Sequence, residues 1–359
     1  MIPAAKPLIG PEERAAVDRV LASGMLASGP EVAAFEQEFA TQLVDGRTCV
    51  AVSSGTSGQH LGLLAAGVGP GDEVIVPSFT FAATANTVAL TGATPVFVDI
   101  EPATFCLDPA AVEAAVTPRT KGVMPVHLYG HPADMTALAA VAERHGLAIY
   151  EDAAQAHGAS LHGRPVGTFG TFAMFSLYPT KNMTSAEGGM VSCATDEVAR
   201  MMRLLRNQGM ERRYENEVVG FNARMTDVHA AIGRVQLAKL AGWNTQRQQN
   251  AKLFDANLQG VVVPPVADGA VHVYHQYTIR VPDDRDGFAR ALADEHGVGT
   301  GVYYPIPNHR LPSFGLDLDL PETERAAREA LSLPVHPALS SDDLAHVVAA
   351  VNAVAAAGS

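Results

Sequence analysis

Short apolar runs rich in β-branched residues recur between residues 49 and 192, where they alternate with stretches of helix-like periodicity. The seven runs read CVAV, EVIVP, TPVFVD, GVMPV, AIYED, AMFS and GMVSC, and they begin at Cys49, Glu73, Thr94, Gly122, Ala148, Ala173 and Gly189. Strands that alternate with helices form βαβ units, in which the strands lie parallel. The pattern therefore predicts an α/β fold with a mostly parallel seven-stranded sheet flanked by helices.

One βαβ unit can be followed residue by residue. Asp134 is a good helix N-cap, and the residues after it place Met135 and Val141 on one apolar face. Gly146 can end this helix in the left-handed conformation. The strand that follows runs directly into Asp152.

Beyond the seventh run the pattern becomes helical and then mixed. Helices are predicted from 196 to about 208, from 227 onward, and over 285–296, 322–331 and 342–356, and the segment HQYTIRV (275–281) predicts one strand. We therefore expect a large domain over residues 1–240, which includes the N-terminal segment. A smaller α+β domain is expected over residues 241–359.

Charge and hydropathy limit the classes of partner. The chain has 359 residues, and its 25 Lys and Arg against 38 Asp and Glu give a net charge of -13. This balance argues against nucleic acid or an anionic membrane as the main partner. No apolar run approaches the length of about 18 residues that a membrane span needs, and the N-terminus lacks a signal-peptide core.

Cysteine and histidine spacing gives no support for a metal site. Cys49, Cys106 and Cys193 are an odd number at wide spacing, which fits neither a disulfide framework nor a zinc site. His127 and His131 are four residues apart, but Gly and Pro beside them argue against a helix that presents both to a metal. We therefore expect a cytoplasmic protein without a bound metal.

Residue types that can carry chemistry cluster where the predicted strands end. They are Gly55, Thr56 and Ser57 after the first run, Phe81 after the second, Asp152 at the end of the fifth with Gln155 after it, and Ser176 at the end of the sixth with Tyr178 and Lys181 after it. In parallel sheets, ligands bind at the carboxyl ends of the strands. These segments are therefore predicted to meet in one pocket, although they span more than 120 residues.

Six strings in the chain resemble, in order, the successive motifs of the DegT/StrS-type sugar aminotransferases. They are SSGTSGQHLGL, PSFTFAATANTV, PVHLYGHPADM, EDAAQAHGA, SLYPTKNMTSAEGGM and GFNARMTDVHAAIGRVQL. The resemblance runs from PLIGPEE near the N-terminus to YYPIPNHRLPSF, and so covers nearly the whole chain. It implies a pyridoxal-phosphate (PLP) enzyme of fold type I.

The resemblance assigns roles to four residues around the cofactor ring. Lys181 would form the internal aldimine with PLP and then move the proton between substrate and cofactor. Asp152 would keep the pyridine nitrogen protonated, so that the ring acts as an electron sink. Gln155 would hydrogen-bond the ring oxygen, and Phe81 would stack on the ring face. Pyridoxamine phosphate (PMP) would be the intermediate form of the cofactor.

The phosphate site is implied at a helix N-terminus. Residues 55–57 lie between a strand and a helix, so that free amides and the helix dipole can face a dianion. Ser176 would add a hydroxyl group. Asn222 resembles the asparagine that reaches the phosphate from a neighbouring subunit in this family, and Arg224 is a weaker candidate for the same position. The resemblance therefore implies a homodimer with shared active sites.

The motifs that line the family's active-site mouth contain Tyr178, Glu187, Tyr304 and His309, which are the candidate substrate contacts. The implied reaction is ping-pong transfer of an amino group from L-glutamate to a keto sugar, linked to a nucleotide. A cyclitol ketone is the alternative acceptor. A keto-sugar dehydratase is disfavoured, because those relatives have a histidine where this chain has Lys181. A non-catalytic regulatory relative would lack that lysine or carry a DNA-binding domain.

Overall fold

The computed structural model describes residues 1–358. In that part of the chain the α-helices are α1 (Pro11–Ser23), α2 (Pro30–Leu43), α3 (Gly55–Ala65), α4 (Ala83–Leu90), α5 (Pro109–Ala115), α6 (Met135–His145), α7 (Asp196–Arg206), α8 (Asp227–Asn257), α9 (Arg285–Asp294), α10 (Pro321–Glu329) and α11 (Ser341–Ala357). The longer strands are β1 (Cys49–Val52), β2 (Glu73–Pro77), β3 (Thr94–Val98), β4 (Thr120–Val123) and β5 (Ala148–Asp152). After them come β6 (Ser160–Leu161), β7 (Arg164–Pro165), β8 (Phe172–Ser176), β9 (Gly189–Cys193), β10 (Met210–Arg212), β11 (Glu215–Asn216), β12 (Ala270–Val271), β13 (Tyr277–Arg280) and β14 (Ala330–Leu333). None of the helices within residues 1–358 combines the length and the hydropathy that crossing a membrane requires.

The central sheet confirms the predicted seven strands. Its order is β1-β9-β8-β5-β4-β2-β3. The pairs β2–β3, β2–β4, β4–β5 and β5–β8 are parallel, whereas β9 runs antiparallel to both of its neighbours, β1 and β8. Every residue of β1, β2 and β9 is buried, as expected for strands covered on both faces. The sheet is therefore mostly parallel, with one antiparallel strand.

Helix α3 lies unusually close to this sheet because two glycines, one turn apart, face it. A Cβ atom on Gly62 would lie 2.6 Å from the Phe172 ring, and one on Gly58 would lie 2.9 Å from a methyl group of Val191. Only a residue without a side chain allows this approach. The close packing fixes the N-terminus of α3 at the carboxyl end of β1.

The predicted βαβ unit is confirmed in detail. The Asp134 carboxylate accepts a hydrogen bond from the Ala137 amide at 2.9 Å and caps α6, and Gly146 ends the helix with φ of 65°. Strand β5 follows and pairs with β4 and β8. Its last residue is Asp152, which therefore lies at the carboxyl edge of the sheet.

The C-terminal part of the chain contains a strand that the periodicity did not predict. The helix expected over 322–331 ends at Glu329, and Ala330–Leu333 instead forms β14, which pairs antiparallel with β13. The N-terminus joins this region, because the Ile2 amide donates to the Gly297 carbonyl and the Ile2 carbonyl accepts from the Gly299 amide. The domain boundary at residue 240 stays a prediction; it falls within the 31-residue helix α8.

Candidate active site

A cavity of about 480 Å³ opens at the carboxyl edge of the sheet. Segments that follow β1, β2, β5 and β8 meet there, as the strand-end motifs predicted. The predicted site residues that line it are Gly55, Thr56, Phe81, Asp152, Gln155, Ser176, Tyr178, Lys181, Glu187 and Tyr304. The sheet topology therefore brings together residues from five separate stretches of sequence.

The N-terminus of α3 forms one end of the cavity. The Ser54 hydroxyl caps the helix by accepting a hydrogen bond from the Ser57 amide at 3.0 Å, which leaves the amides of Gly55 and Thr56 in the first turn for a ligand. A Cβ atom on Gly55 would lie 3.1 Å from that of Ser176. The glycine therefore lets the helix end and the Ser176 hydroxyl sit side by side, a geometry that suits a phosphate group.

The position of Ser57 does not support its predicted role at the phosphate site. Its amide is occupied by the Ser54 cap, and its hydroxyl lies 2.9 Å from that of Ser54 and 3.2 Å from that of Ser53. Ser57 is also absent from the residues that line the cavity. The residue that shapes the loop is thus Ser54, because a helix N-cap takes the amide two or three residues further on.

The Asp152 carboxylate is buried and held at both oxygens. Oδ1 accepts from the Ala154 amide at 3.1 Å, and Oδ2 accepts from the Thr84 hydroxyl at 2.8 Å. Thr84 lies in the first turn of α4 and is itself 3.1 Å from the Thr80 hydroxyl. Two donors fix the carboxylate plane, so that its charge faces the cavity in a defined direction.

Lys181 lies in the loop after β8, where its amide donates to the Tyr178 carbonyl at 2.9 Å. Burial lowers the pKa of the Lys181 amine to about 8, although the nearby Asp152 carboxylate acts in the opposite direction. An amine with this pKa is a far better base and nucleophile near neutral pH than an ordinary lysine. Lys181 therefore has the properties that Schiff-base chemistry requires.

Gln155 joins the sheet to the C-terminal part of the chain. Its Oε1 accepts from the Tyr129 amide at 2.6 Å, and its Nε2 donates to the Tyr304 hydroxyl at 3.1 Å. The Tyr304 ring lies 6.1 Å from that of Phe81, which is 60% exposed. Phe81 thus offers a free aromatic face to the cavity, with Tyr304 beside it.

His309 does not reach the cavity. It is fully buried, and its Nδ1 lies 2.6 Å from the Ser78 hydroxyl while its Nε2 lies 3.3 Å from a Glu324 carboxylate oxygen. The prediction of a substrate contact at His309 is thus not supported by its position, because both ring nitrogens face protein groups. His309 is close to Tyr304 in the sequence, but the sequence does not show that its ring points into the protein.

Asn222 lies outside the cavity of its own chain. It is exposed, and its backbone pairs with Asn207, whose side-chain oxygen accepts from Arg224 at 2.7 Å. The carbonyl of the next residue, Ala223, accepts from the Ser53 amide at 2.9 Å. The segment that carries Asn222 and Arg224 is therefore fixed beside the loop that leads into α3.

Several cavity residues gave no signal in the sequence. They are Gln59, Thr80, Thr84, His275, Gln276 and Tyr303. Thr84 stands three residues after Phe81 in the same motif, so the spacing could have suggested it. His275 and Gln276 precede a strand of the C-terminal region, and only the fold shows that they reach the site.

The histidine at position 127 has a buried carboxylate as its partner. Its Nε2 lies 3.2 Å from the buried Glu151 carboxylate, which also accepts from the amides of Gly167, Phe169 and Gly170 at 2.7–2.8 Å. Glu151 precedes Asp152 and points to the opposite face of β5. These contacts fix the end of the strand that carries Asp152.

Comparisons with known proteins agree with this geometry. Residues 7–352 match the DegT/DnrJ/EryC1/StrS aminotransferase family. The chain is 45% identical to the "Pleiotropic regulatory protein" of Geobacillus stearothermophilus, over 94% of this chain and 93% of that protein. It is 43% identical to the dTDP-3-amino-3,4,6-trideoxy-alpha-D-glucose transaminase of Streptomyces venezuelae, over 95% of this chain and 91% of that enzyme.

Solved structures give the same result. The fold matches S. venezuelae DesV in complex with a ketimine intermediate with a TM-score of 0.91 and 43% identity, over 96% of this chain and 94% of that one. It matches the "Putative sugar aminotransferase Spr1654 from Streptococcus pneumoniae, PLP-form" with a TM-score of 0.94 and 27% identity, over 99% of both chains. With its motifs, fold and cavity in agreement, the chain belongs to the DegT/DnrJ/EryC1/StrS aminotransferase family.

Proposed function

We propose that this chain is a PLP-dependent aminotransferase that moves an amino group from L-glutamate to a keto sugar carried by a nucleotide, in amino-sugar biosynthesis. The observation that carries the proposal is the presence of Lys181, Asp152 and the free N-terminus of α3 around one cavity. The name of the S. venezuelae relative, a transaminase of a dTDP-linked sugar, supports a nucleotide-linked sugar over a cyclitol ketone.

The residues present fit the cofactor. The amides of Gly55 and Thr56, with the Ser176 hydroxyl, would hold the phosphate, while Phe81 would cover the ring and Gln155 would meet its oxygen. Asp152 would face the pyridine nitrogen and keep it protonated. When bound, the cofactor supplies an electron sink for the carbanion formed at the substrate carbon.

Lys181 would hold and move the proton at its Nζ atom. With a pKa of about 8, about a tenth of the amine is neutral at pH 7, far more than for an ordinary lysine, and can accept a proton from the substrate carbon. The resulting ammonium group remains near the Asp152 carboxylate, which offsets part of the cost of burying the charge. The same side chain can therefore take up a proton on one side of the reaction and return it on the other.

The charge around the cavity supports a shared active site. Among the described residues that line it, Lys181 is the only lysine or arginine, and Asp152 and Glu187 are acidic. Glutamate and a nucleotide diphosphate bring several negative charges that such a lining cannot balance alone. We expect a second copy to complete the site in a homodimer, with the Asn222 amide as a hydrogen-bond partner of the phosphate and, secondarily, the Arg224 guanidinium as a positive charge.

Mixing two inactive variants tests this sharing. Lys181→Ala and Asn222→Ala should each be inactive or nearly so, but unfolding and refolding them together should restore roughly a quarter of the sites. The gain arises because one site of each mixed dimer carries both native residues. No gain on mixing would show that Asn222 serves the site of its own chain or none.

The reaction would take place in the cytoplasm. Cys49, Cys106 and Cys193 are all free and buried. Unpaired cysteines of this kind are typical of proteins in a reducing compartment. Expression of a tagged copy followed by cell fractionation would check this placement.

A substrate experiment tests the proposed reaction. PLP-loaded protein is incubated with glutamate and either a keto sugar nucleotide or a cyclitol ketone, and 2-oxoglutarate and the aminated product are measured. We expect turnover with a keto sugar nucleotide, none in Lys181→Ala, and wild-type turnover in the control Lys121→Ala, which alters an exposed lysine on β4. Turnover of the cyclitol alone would reject the nucleotide sugar, and well-folded protein that binds no cofactor would reject the aminotransferase.

A further inference from the structure

Several buried polar side chains lie near Lys181, close enough in the case of His157 and His275 for its charge to affect their pKa, and the proposed chemistry uses none of them. We call His157, Asn182, His275 and Arg247 the inner polar cluster. Each of the four is at least nine-tenths buried, with relative exposures of 0%, 4%, 5% and 6%. They come from four separate segments: the loop after β5, the residue after Lys181, the approach to β13, and helix α8.

Hydrogen bonds tie these segments together. Asn182 Nδ2 donates to Asn244 Oδ1 and to the Val273 carbonyl, both at 2.9 Å. Asn244 Nδ2 in turn donates to the His157 carbonyl at 2.8 Å. The cluster is therefore a connected part of the interior in which each segment is anchored through its backbone.

Arg247 anchors the remaining segment. Its Nη1 donates to the Tyr274 carbonyl at 3.0 Å and to the His275 carbonyl at 3.4 Å. This contact fixes the backbone of His275, which is among the residues that line the cavity. His275 thus connects the inner polar cluster to the place where substrate would bind.

Several polar atoms of the inner polar cluster lack partners within the chain. Both ring nitrogens of His157, Nδ1 of His275, Oδ1 of Asn182 and Nε of Arg247 are buried and make no hydrogen bond of normal geometry. The His157 ring does lie close to the Ser176 backbone. Buried polar atoms in folded proteins are almost always satisfied by protein groups or by ordered water.

The hydrogen-bonding properties of these atoms determine which kind of ligand could satisfy them. Burial and the nearby Lys181 lower the pKa of His157 to about 3. Burial lowers the pKa of His275 well below its usual value, and Lys181, Arg247, His157 and His272 act in the same direction. Both rings are therefore neutral, so that each offers one donor and one acceptor.

Neither a cation nor an anion matches this set. Arg247 Nε is a donor and Asn182 Oδ1 is an acceptor, so a ligand must accept from one and donate to the other. The positive charges of Arg247 and Lys181 disfavour a metal ion. Water both donates and accepts, and it carries no charge that the cluster would have to balance.

We propose that the inner polar cluster binds one or more ordered water molecules that hydrogen-bond the Lys181 amine from the protein side, with His275 as the positioning residue that links this water to the cavity. The proposal deepens the proposed function and rests on it where it concerns the loaded enzyme. The role of this water is to solvate the ammonium form of Lys181, which the side chain must adopt during each turnover.

The first test uses apoenzyme crystals. A high-resolution structure should show water within hydrogen-bond distance of His275 Nδ1 and of a His157 ring nitrogen, and in contact with Lys181 Nζ. In His275→Phe crystals this water should be lost or displaced. A dry cluster in the wild-type protein, with these nitrogens still unpartnered, would overturn the proposal.

The second test measures the Lys181 amine in the apoenzyme, without using activity. The rate at which a small electrophile modifies Lys181 is followed against pH by peptide mass spectrometry. His275→Phe should lower the midpoint by about half a pH unit or more, because the ammonium form loses solvation. His275→Asn, which keeps a polar atom there, should restore part of the shift.

His272→Phe is the matched control. His272 is buried in the same segment and stacks on Tyr274 at 3.9 Å, but it is not among the residues that line the cavity. Its replacement should leave the midpoint unchanged. If His275→Phe does not fold, His157→Phe, whose ring can keep packing against Phe175, should show the same downward shift.

An unchanged midpoint in both phenylalanine variants would overturn the proposal. The result of these tests is independent of the result of the substrate experiment that tests the proposed function. An active aminotransferase with a dry cluster would reject only the water site. A protein with ordered water and a shifted midpoint, but without amino-group transfer, would reject only the reaction.

Discussion

Two walls of the active-site cavity differ in how they are built. The sheet wall consists of Gly55, Thr84, Asp152 and Ser176, which stand at strand ends or in the first turns of helices, and of Lys181 in the loop that follows β8. The C-terminal wall consists of His275, Gln276, Tyr303 and Tyr304, which lie in loops. The first wall is set by local structure and the second by contacts across the chain.

The difference suggests a division of labour. Side chains on strand ends and helix turns are held rigidly, as bond-making and proton transfer require. Loop residues can vary without disturbing the sheet, and they are where specificity usually resides. We therefore expect changes in the sheet wall to lower kcat, and changes in the C-terminal wall to act mainly on KM.

Asp152→Asn should have the largest effect. The amide cannot supply the negative charge that would keep the cofactor nitrogen protonated, so kcat should fall by about 100-fold or more. Asp134→Asn is the control, because asparagine caps α6 as well as aspartate does. A loss of less than tenfold in Asp152→Asn would show that this charge is not central to catalysis.

Thr84→Val tests whether the orientation of the Asp152 carboxylate matters. The variant keeps the shape of the side chain but removes the hydrogen bond to Oδ2, and kcat should fall by roughly tenfold with little change in KM. Thr87→Val, one turn further along α4, alters a buried threonine that does not touch Asp152. Equal losses in the two variants would point to damage to the helix instead.

Apoenzyme stability tests the burial of the Lys181 amine. Its pKa is lowered to about 8 in the folded protein from 10.5, so the unfolded chain binds more protons between these values. The contribution of this group to the free energy of unfolding should therefore rise between about pH 8 and 10.5, by about 3 kcal/mol.

Lys181→Met should remove that rise, because methionine fills similar space without a charge. Urea unfolding of both apoproteins at pH 8 and pH 10 measures the difference. The same slope in the two proteins would mean that the amine is well solvated in the folded state.

Tyr304→Phe should have the smallest effect and act on the other wall. It removes the hydroxyl that accepts from Gln155 but keeps the ring beside Phe81. We expect KM to rise a few-fold, with kcat nearly unchanged. A large fall in kcat would place Tyr304 functionally with the sheet wall and would break the proposed division.

Four of the five sheet-wall residues, all except Thr84, were predicted from the sequence, whereas Tyr304 was the only predicted residue of the C-terminal wall. β-branched runs mark buried strands, and the order of strands and helices implies that Asp152 and Lys181 meet at one edge. Local rules also covered the cap at Asp134 and the turn at Gly146. These features depend on residues that are near one another in sequence.

Long-range contacts account for the features that could not be predicted from the sequence. Thr84 and Asp152 are 68 residues apart, and Ser78 and His309 are 231 apart, so no local pattern connects them. Ala330–Leu333 follows a helix and has ordinary helical residues, but pairing with β13 makes it a strand. The sequence shows Ser57 in the same motif as Gly55 and Thr56, but only the structure shows that the Ser54 hydroxyl takes its amide.

The measurement that tests the account most directly is borohydride reduction of the cofactor-loaded protein, followed by peptide mass spectrometry. We predict a reduced pyridoxyl adduct on Lys181 and on no other lysine, and its loss when the protein is first incubated with glutamate. An adduct elsewhere, or one on Lys181 that persists after glutamate, would contradict the assignment of Lys181 as the residue that carries the cofactor through amino-group transfer.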